Sequence, residues 1–168
     1  PAAFALGNFQ LVLNMLELAR ELKPKVFLQF STDEVYGPAP AGVNFKEGER
    51  MRPSNPYSGS KAAQENMAFS YWRTFDVPVI ITNTMNLIGQ TQDAEKFPAK
   101  LIRKIYNGEV VTIHGTPEDI GSRFYIHARN AADAVLYILN KLPPAHYKED
   151  LVLSPSQYNI VGETELNN

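Results

Sequence analysis

Two short stretches decide how this chain folds: Gln29-Phe30-Ser31-Thr32-Asp33-Glu34-Val35-Tyr36-Gly37 and Asn55-Pro56-Tyr57-Ser58-Gly59-Ser60-Lys61. The first extends an apolar run over residues 26–30, which has the length and β-propensity of a buried strand. Thr32, Asp33 and Glu34 therefore fall where that strand passes into its loop. In open α/β sheets, ligands bind at this carboxyl end of the strands.

The second stretch predicts the start of a helix, because Pro56 suits a first-turn position that needs no N–H donor. Tyr57 and Lys61 are four residues apart, so they share one face of that helix. A nearby ammonium favours the phenolate form, and we expect Lys61 to lower the pKa of Tyr57. A phenol with a lowered pKa can act as a general base near neutral pH. Together the two stretches predict that this pair and two carboxyl groups converge on one small volume.

The composition suits one domain with a buried core, since the chain has 168 residues and 44% of them are hydrophobic. A formal net charge of −2 gives no reason to expect a nucleic-acid or membrane partner. The absence of cysteine excludes disulfides and thiolate metal sites and is compatible with the cytoplasmic location that we expect. We expect no membrane span, because no apolar run approaches the ~18 residues needed, and no signal peptide. His114 and His146 lie too far apart in sequence to suggest a metal triad.

The hydrophobic pattern alternates between helical and extended segments, as in βαβ units. We expect helices over residues 4–22, 56–74, 99–106 and 130–142, and strands over residues 26–30, 77–82, 110–113 and 158–162. Residues 38–53 are rich in glycine, proline and charge, which is typical of a loop. The pattern predicts an α/β fold.

The two stretches also carry a resemblance. In this order and at this distance they resemble the extended short-chain dehydrogenase/reductase (NAD-dependent epimerase/dehydratase) family, and within it the dTDP-glucose 4,6-dehydratase group. The resemblance implies a partial Rossmann-like, doubly wound parallel sheet with part of a small substrate-binding cap. It implies that the Rossmann part holds residues 1–89 and 129–162, the cap residues 90–128, and a tail residues 163–168.

The resemblance spans nearly all of this chain but only the middle of the family's length. The chain begins at Pro1 rather than Met, and no glycine-rich Gly-x-x-Gly-x-x-Gly loop occurs in it. In this family that loop cradles the cofactor pyrophosphate. We therefore expect a fragment or an incomplete chain, one that by itself binds NAD poorly and is inactive.

The resemblance implies a reaction, the NAD-dependent dehydration of a nucleotide-activated hexose, with dTDP-glucose preferred, to the 4-keto-6-deoxy sugar. In that reaction Tyr57, made acidic by Lys61, takes the proton of the C4 hydroxyl, which Thr32 holds. Glu34 acts as base at C5, and Asp33, kept protonated, acts as acid on the C6 hydroxyl. Two adjacent carboxyl groups are expected to separate in pKa, which yields one acid and one base.

Binding residues are implied by the same resemblance. NAD is expected to contact Ser31, Tyr57, Lys61 and Asn8, and the nucleotide-diphosphate sugar is expected to contact Asn86, Glu95, Lys96, Phe97 and Arg123. A guanidinium fork suits the diphosphate, which is the role implied for Arg123. Members of the family pair through two long helices, so the helices over residues 4–22 and 56–74 imply a homodimer.

Two other functions stay open. One is a nucleotide-sugar 4-epimerase or decarboxylase of the same family, in which the position of Asp33 is generally a small residue. Asp33 followed by Glu34 favours dehydration over epimerisation. The other is an inactive binding or scaffold protein that keeps the fold and, without the glycine-rich loop, does no chemistry.

Overall fold

A computed structural model describes residues 2–40, 42–113, 115–116, 119–147 and 152–167. In chain order its elements are α1 (Ala2–Leu22), β1 (Phe27–Thr32), a 3-10 turn (Asp33–Tyr36), α2 (Pro56–Phe75), β2 (Val79–Thr84), β3 (Asn86–Ile88), α3 (Phe97–Tyr106), β4 (Gly115–Thr116), β5 (Asp119–Ile120), β6 (Ser122–His127), α4 (Ala128–Lys141), β7 (Ser156–Ile160) and β8 (Glu165–Asn167). The chain forms two compact units, Pro1–Thr84 with Leu136–Ile160, and Met85–Val135 with Val161–Asn168. The domain boundaries drawn from the sequence stay a prediction.

The first unit is built on a parallel sheet with the strand order β1-β2-β7. Phe27 lies opposite Val79, and Ile80 lies opposite Ser156. All six residues of the central strand β2 are buried, as in a parallel sheet covered on both faces. The predicted α/β class and its partial Rossmann-like parallel sheet are confirmed.

Both long strands of this sheet end two residues later than the sequence predicted. Ser31 and Thr32 pair in register with Asn83 and Thr84, and all four side chains are buried. A hydrophobicity pattern ends a strand at its first polar residues. The backbone hydrogen bonds of the ladder continue the strand through them. Ser31, Thr32 and Asn83 have polar partners inside the protein, whereas the buried hydroxyl of Thr84 has none among the described residues.

A shared hydrophobic core joins α1 and α2. Leu16 and Ala19 of α1 cluster with Ala68, Tyr71 and Trp72 of α2 and with buried residues of β2. Helix α2 also contacts β1 and the 3-10 turn that follows it. The beginning of α2 is therefore held beside the carboxyl end of β1.

Helix α1 leaves an apolar stripe on its surface. Its exposed members are Phe4, Leu11, Met15, Leu18 and Leu22. By length and composition α1 could cross a membrane, with a mean hydropathy of 1.3, although the core helix of a soluble protein passes the same test. Three of the six polar residues in this helix are charged, and the expectation that the chain has no membrane span stays a prediction.

The second unit contains β3 parallel to β6, β8 antiparallel to β6, and the antiparallel pair β4-β5. The strand predicted over residues 110–113 is absent, since these described residues pair with no strand despite their β-branched side chains. Helix α3 starts at Phe97 rather than at residue 99, because Pro98 occupies its first turn. Helix α4 starts at Ala128 rather than Asn130, and Nδ1 of His127 accepts a hydrogen bond from the backbone N–H of Arg129 at 3.1 Å.

Candidate active site

A tight turn presents two acids at the carboxyl end of β1. Thr32, the last residue of the strand, is extended, and its hydroxyl oxygen accepts a hydrogen bond from the backbone N–H of Glu34 at 3.3 Å. The same hydroxyl donates to Oδ1 of Asp33 at 3.2 Å. Gly37 closes the turn with a φ of 80°, where a Cβ atom would lie 2.2 Å from the carbonyl oxygen of Arg52. The turn therefore holds Asp33 and Glu34 directly after the Thr32 hydroxyl at the end of β1.

The environment of Asp33 favours the protonated form of its carboxyl group more than water does. Burial raises the pKa of Asp33 above its ordinary 3.8, and the charge of Glu34 raises it further. The hydrogen bond from Thr32 acts in the opposite direction. The direction for Asp33 is the one expected of a general acid beside a second carboxyl group.

Asn55 caps α2 and joins it to this turn. Its side-chain oxygen accepts from the backbone N–H of Ser58 at 2.9 Å, and the Ser58 hydroxyl accepts from the backbone N–H of Asn55 at 3.2 Å, which completes a capping box. The Nδ2 group of Asn55 donates to Oε2 of Glu34 at 3.0 Å. This contact was not foreseen, although an asparagine directly before proline is itself a helix-start signal.

The predicted effect of Lys61 on Tyr57 is wrong. Burial raises the pKa of Tyr57, and the charges of Glu34 and Asp33 raise it further. Nζ of Lys61 instead donates to the backbone carbonyl oxygen of Phe30 at 2.5 Å. The two residues do share one face of α2, but the long lysine side chain reaches to β1. The pKa of Tyr57 is therefore set by burial and by the two acids rather than by the ammonium.

Helix α2 also carries a buried acid, Glu65, one turn after Lys61, which the sequence did not predict as a site residue. The side chain of Glu65 is 1% exposed and accepts hydrogen bonds from the Ser31 hydroxyl and, at 2.7 Å, from Nδ2 of Asn83. Burial raises the pKa of Glu65, while these hydrogen bonds and the charge of Lys61 oppose the rise. Glu65 follows Lys61 by four residues, so its place on the inward face could have been found from helical spacing.

The residues predicted to hold the cofactor are only partly brought together. Tyr57 and Lys61 lie near the carboxyl end of β1, and their hydroxyl and ammonium are the kinds of donor that a ribose requires. The Ser31 hydroxyl is directed to Glu65, and Nδ2 of Asn8 donates to the Ser60 hydroxyl at 3.4 Å. This donor set fits the nicotinamide riboside end of NAD, whereas no residues for its pyrophosphate are recognisable in the sequence.

The residues predicted to bind the sugar nucleotide all belong to the second unit. Asn86 on β3 pairs with Tyr125, two residues beyond Arg123 on the neighbouring strand β6, and Arg123 is exposed. Lys96 precedes the first residue of α3. Glu95 and Phe97 line a cavity of about 440 Å³. The other residues lining this cavity are Lys100, Leu101, Lys104, Val111, Thr112 and Ile113.

Within the described part of the chain, no group of three or more histidine, aspartate or glutamate side chains is arranged to hold a metal ion. His114, considered in the sequence, lies outside the described residues.

Known proteins are similar to this chain over most of its length. The model of the NAD dependent epimerase/dehydratase family matches residues 1–154. A dTDP-D-glucose 4,6-dehydratase of Dictyostelium discoideum is 36% identical over 137 residues, which cover 76% of this chain and 31% of that protein. The low-salt glycan biosynthesis protein Agl12 of Haloferax volcanii is 37% identical over 134 residues, covering 79% of this chain and 43% of that protein.

Among solved structures, dTDP-glucose 4,6-dehydratase of Bacillus anthracis in complex with NAD superimposes with a TM-score of 0.81 at 29% identity. The match covers 94% of this chain and 47% of that one. The chain therefore spans between about a third and a half of the length of these relatives.

Proposed function

We infer, from the premise that this chain belongs to the NAD dependent epimerase/dehydratase family, that the protein dehydrates a nucleotide-activated hexose. The proposed substrate is dTDP-glucose and the product its 4-keto-6-deoxy sugar. One observation carries this choice: directly after Thr32, Asp33 has a raised pKa beside the carboxylate of Glu34. An acid and a base side by side are what the removal of water from adjacent carbons requires.

We propose that Lys61 and Tyr57 hold the ribose of NAD and that Asn8 and Ser31 also contact the cofactor. In this structure Asn8 donates a hydrogen bond to Ser60 and Ser31 donates one to Glu65. When bound, NAD supplies a cationic acceptor for hydride from C4 and the source of the hydride returned to C6. The sugar nucleotide is proposed to contact Asn86, Glu95, Lys96, Phe97 and Arg123.

In the oxidation step, the C4 hydroxyl would give its proton to the phenolate of Tyr57 while its carbon gives up a hydride, for which bound NAD would be the acceptor. The hydroxyl of Thr32, at the end of β1, holds the C4 oxygen by a hydrogen bond. Because burial and two acids raise the pKa of Tyr57, this phenol must first lose its own proton, and a positive charge brought near it favours that ionisation.

In the elimination step, the new C4 carbonyl acidifies the proton on C5, and Glu34 removes that proton. Asp33 gives its proton to the C6 hydroxyl, which leaves as water, and a C5–C6 double bond forms. The hydride then returns to C6 and a proton to C5, so no net oxidation occurs. Burial raises the pKa of Asp33, which favours its role as the proton donor to the leaving group.

An Asp33→Asn substitution in the full-length protein tests this assignment. We expect ketone formation from dTDP-glucose to fall by about 10²–10⁴-fold, the usual contribution of a positioned acid, because the amide cannot protonate the leaving hydroxyl. Oxidation at C4 should persist, seen as absorbance of the reduced nicotinamide. Asp133→Asn, the same change on an exposed helix position, is the control. Unchanged turnover by Asp33→Asn would exclude the proposed dehydration.

The family name covers epimerases as well, which makes a 4-epimerase the second candidate. Incubation of the unaltered protein with dTDP-glucose separates the two, since an epimerase yields a C4 epimer and no ketone absorbance in alkali. An inactive scaffold is favoured only by the absence of a glycine-rich loop from the 168 residues. Tight, stoichiometric NAD binding by these residues would contradict the weak binding that we expect, and turnover of dTDP-glucose by the full-length protein would exclude the scaffold. We also propose a cytoplasmic location, to be tested by cell fractionation.

A further inference from the structure

The side chain of Asn55 uses both ends of its amide. Its single oxygen accepts the hydrogen bond from the backbone N–H of Ser58 at 2.9 Å, which satisfies one of the free donors at the start of α2. Its NH₂ group, which can only donate, points to Oε2 of Glu34 at 3.0 Å. The helix cap thus fixes the amide's orientation and leaves a donor directed at the carboxylate.

Asn55 links groups from two parts of the chain. Glu34 belongs to the turn after β1, 21 residues earlier, whereas Tyr57 begins α2 two residues after Asn55. The titratable groups that act electrostatically in this region are Asp33 from the same turn and Tyr57 from α2. Neither can donate a hydrogen bond to Glu34 throughout the reaction, because each is assigned a proton transfer of its own.

Asparagine is more specific here than capping requires. Serine and aspartate cap helices about as well as asparagine does. Neither of them offers an N–H group to a carboxylate, and aspartate would place a second negative charge against it. A carboxylate that accepts a hydrogen bond is held in place and favoured in its ionised form, as a general base must be.

We propose that Asn55 is a positioning residue for the elimination step, holding the Glu34 carboxylate where it removes the C5 proton. The inference rests on the proposed dehydration. It adds a residue that acts on the substrate only through Glu34. The role needs the amide donor and not merely the helix cap.

Asn55→Ser and Asn55→Asp in the full-length protein separate the donor from the cap, because both keep a capping side chain. With dTDP-glucose, Asn55→Ser is expected to lower kcat for ketone formation by about 10- to 100-fold, the loss of one hydrogen bond to a charged group. C4 oxidation in a single turnover and KM should change little. Asn55→Asp is expected to move the acid limb of the kcat–pH profile to higher pH, because a second carboxylate opposes ionisation of Glu34.

Two control variants separate this role from a structural one. Asn66→Asp makes the same change on the exposed face of α2 and should leave the pH profile unmoved. Asn55→Ala removes the cap and should lower the thermal midpoint more than either capping variant. If Asn55→Ser and Asn55→Asp keep the kcat and pH profile of the unaltered protein, Asn55 is a cap alone and the inference is overturned. If the unaltered protein forms no ketone, the proposed dehydration fails first and this role with it.

Discussion

At the scale of single residues, Glu65 is an acid enclosed between α2 and the sheet. Because burial raises the pKa of Glu65, the folded chain binds this proton more tightly than the unfolded chain does. The stability contributed by the group is therefore complete below its ordinary pKa of 4.5 and is lost as the pH rises through the raised value. Ionisation of Glu65 therefore lowers the free energy of unfolding as the pH rises toward neutral.

Substitution of Glu65 by glutamine tests that pH dependence. Urea unfolding between about pH 5 and 8 should show that the free energy of unfolding of the unaltered protein, relative to Glu65→Gln, falls as the pH rises. Glu21→Gln, an exposed change on α1, should give a difference within about 0.5 kcal/mol of zero across the same range. A Glu65→Gln difference that is equally flat would contradict the raised pKa.

Complete removal of the Glu65 side chain asks a separate question. Glu65→Ala leaves the hydroxyl of Ser31 without its acceptor and the amide of Asn83 with only the backbone oxygen of Thr32, at 3.3 Å. We expect a loss of about 3 kcal/mol or more in the free energy of unfolding, from the unpaired donors and the cavity together. A loss no larger than that of Glu65→Gln would show that water or a shifted side chain replaces the acceptor.

At the scale of elements, the 3-10 turn of Asp33–Tyr36 depends on the glycine that ends it. Gly37→Ala would combine a φ of 80° with a Cβ only 2.2 Å from the carbonyl oxygen of Arg52. Gly48 shares the positive φ, at 79°, but a Cβ atom there would lie 3.9 Å from its nearest neighbour, the side-chain oxygen of Gln157. The pair therefore separates backbone strain from steric contact.

We expect Gly48→Ala to cost about 1–2 kcal/mol, the penalty of a left-handed conformation alone. Gly37→Ala should cost clearly more, because Arg52 must also move, and should displace the turn that carries Asp33. Denaturant midpoints measure both, and catalytic assays should find Gly37→Ala impaired and Gly48→Ala near normal. Equal midpoints for the two variants would mean that the Arg52 segment yields freely.

At the scale of the whole molecule, the exposed apolar stripe of α1 gives the predicted homodimer a surface to use. The stripe lies on a different side of α1 from Leu16 and Ala19, which are buried in the core. Steps of three and four residues from Leu11 to Leu22 are those of a helix that packs along another helix. We propose that a second copy of the protein covers it.

Met15→Glu, in the middle of the stripe, should convert a dimer to a monomer because a charge cannot be buried without a partner. Light scattering measures the mass, and Gln10→Glu, off the stripe on the same helix, should leave it unchanged. A monomeric unaltered protein contradicts the proposal. So does flotation of the protein with lipid vesicles, which would assign the stripe to a membrane.

The sequence located the acids well because their position depends on local rules. A buried strand followed by Thr32, Asp33 and Glu34 needs only an apolar run and its end to be recognised. The alternation of helices and strands followed from hydrophobic periodicity, whereas the parallel Rossmann-like sheet was implied by the family resemblance. Strand ends were missed where Ser31 and Asn83 find their partner in Glu65, a contact between segments far apart in the chain.

The electrostatics of the site could not be read from spacing. Residues four apart on a helix share a face, yet Lys61 has several rotatable bonds, and only the position of the Phe30 carbonyl decides where its ammonium lies. The rise in the pKa of Tyr57 likewise depends on acids from another segment. The effect of the Asp33 and Glu34 charges on the pKa of Tyr57 depends on the tertiary structure and cannot be predicted from the spacing of residues along one helix.

The loop after the 3-10 turn is fastened from far along the chain. Nδ2 of Asn159 on β7 donates to the backbone oxygen of Phe45 at 3.3 Å, its backbone N–H donates to Glu47 at 2.8 Å, and its side-chain oxygen accepts from the hydroxyl of Tyr36 at 3.0 Å. A truncated chain that ends before Asn159 would lose all three of these hydrogen bonds. Trypsin would then cleave more readily after Lys46 and Arg50, so the digestion pattern reports whether β7 is in place.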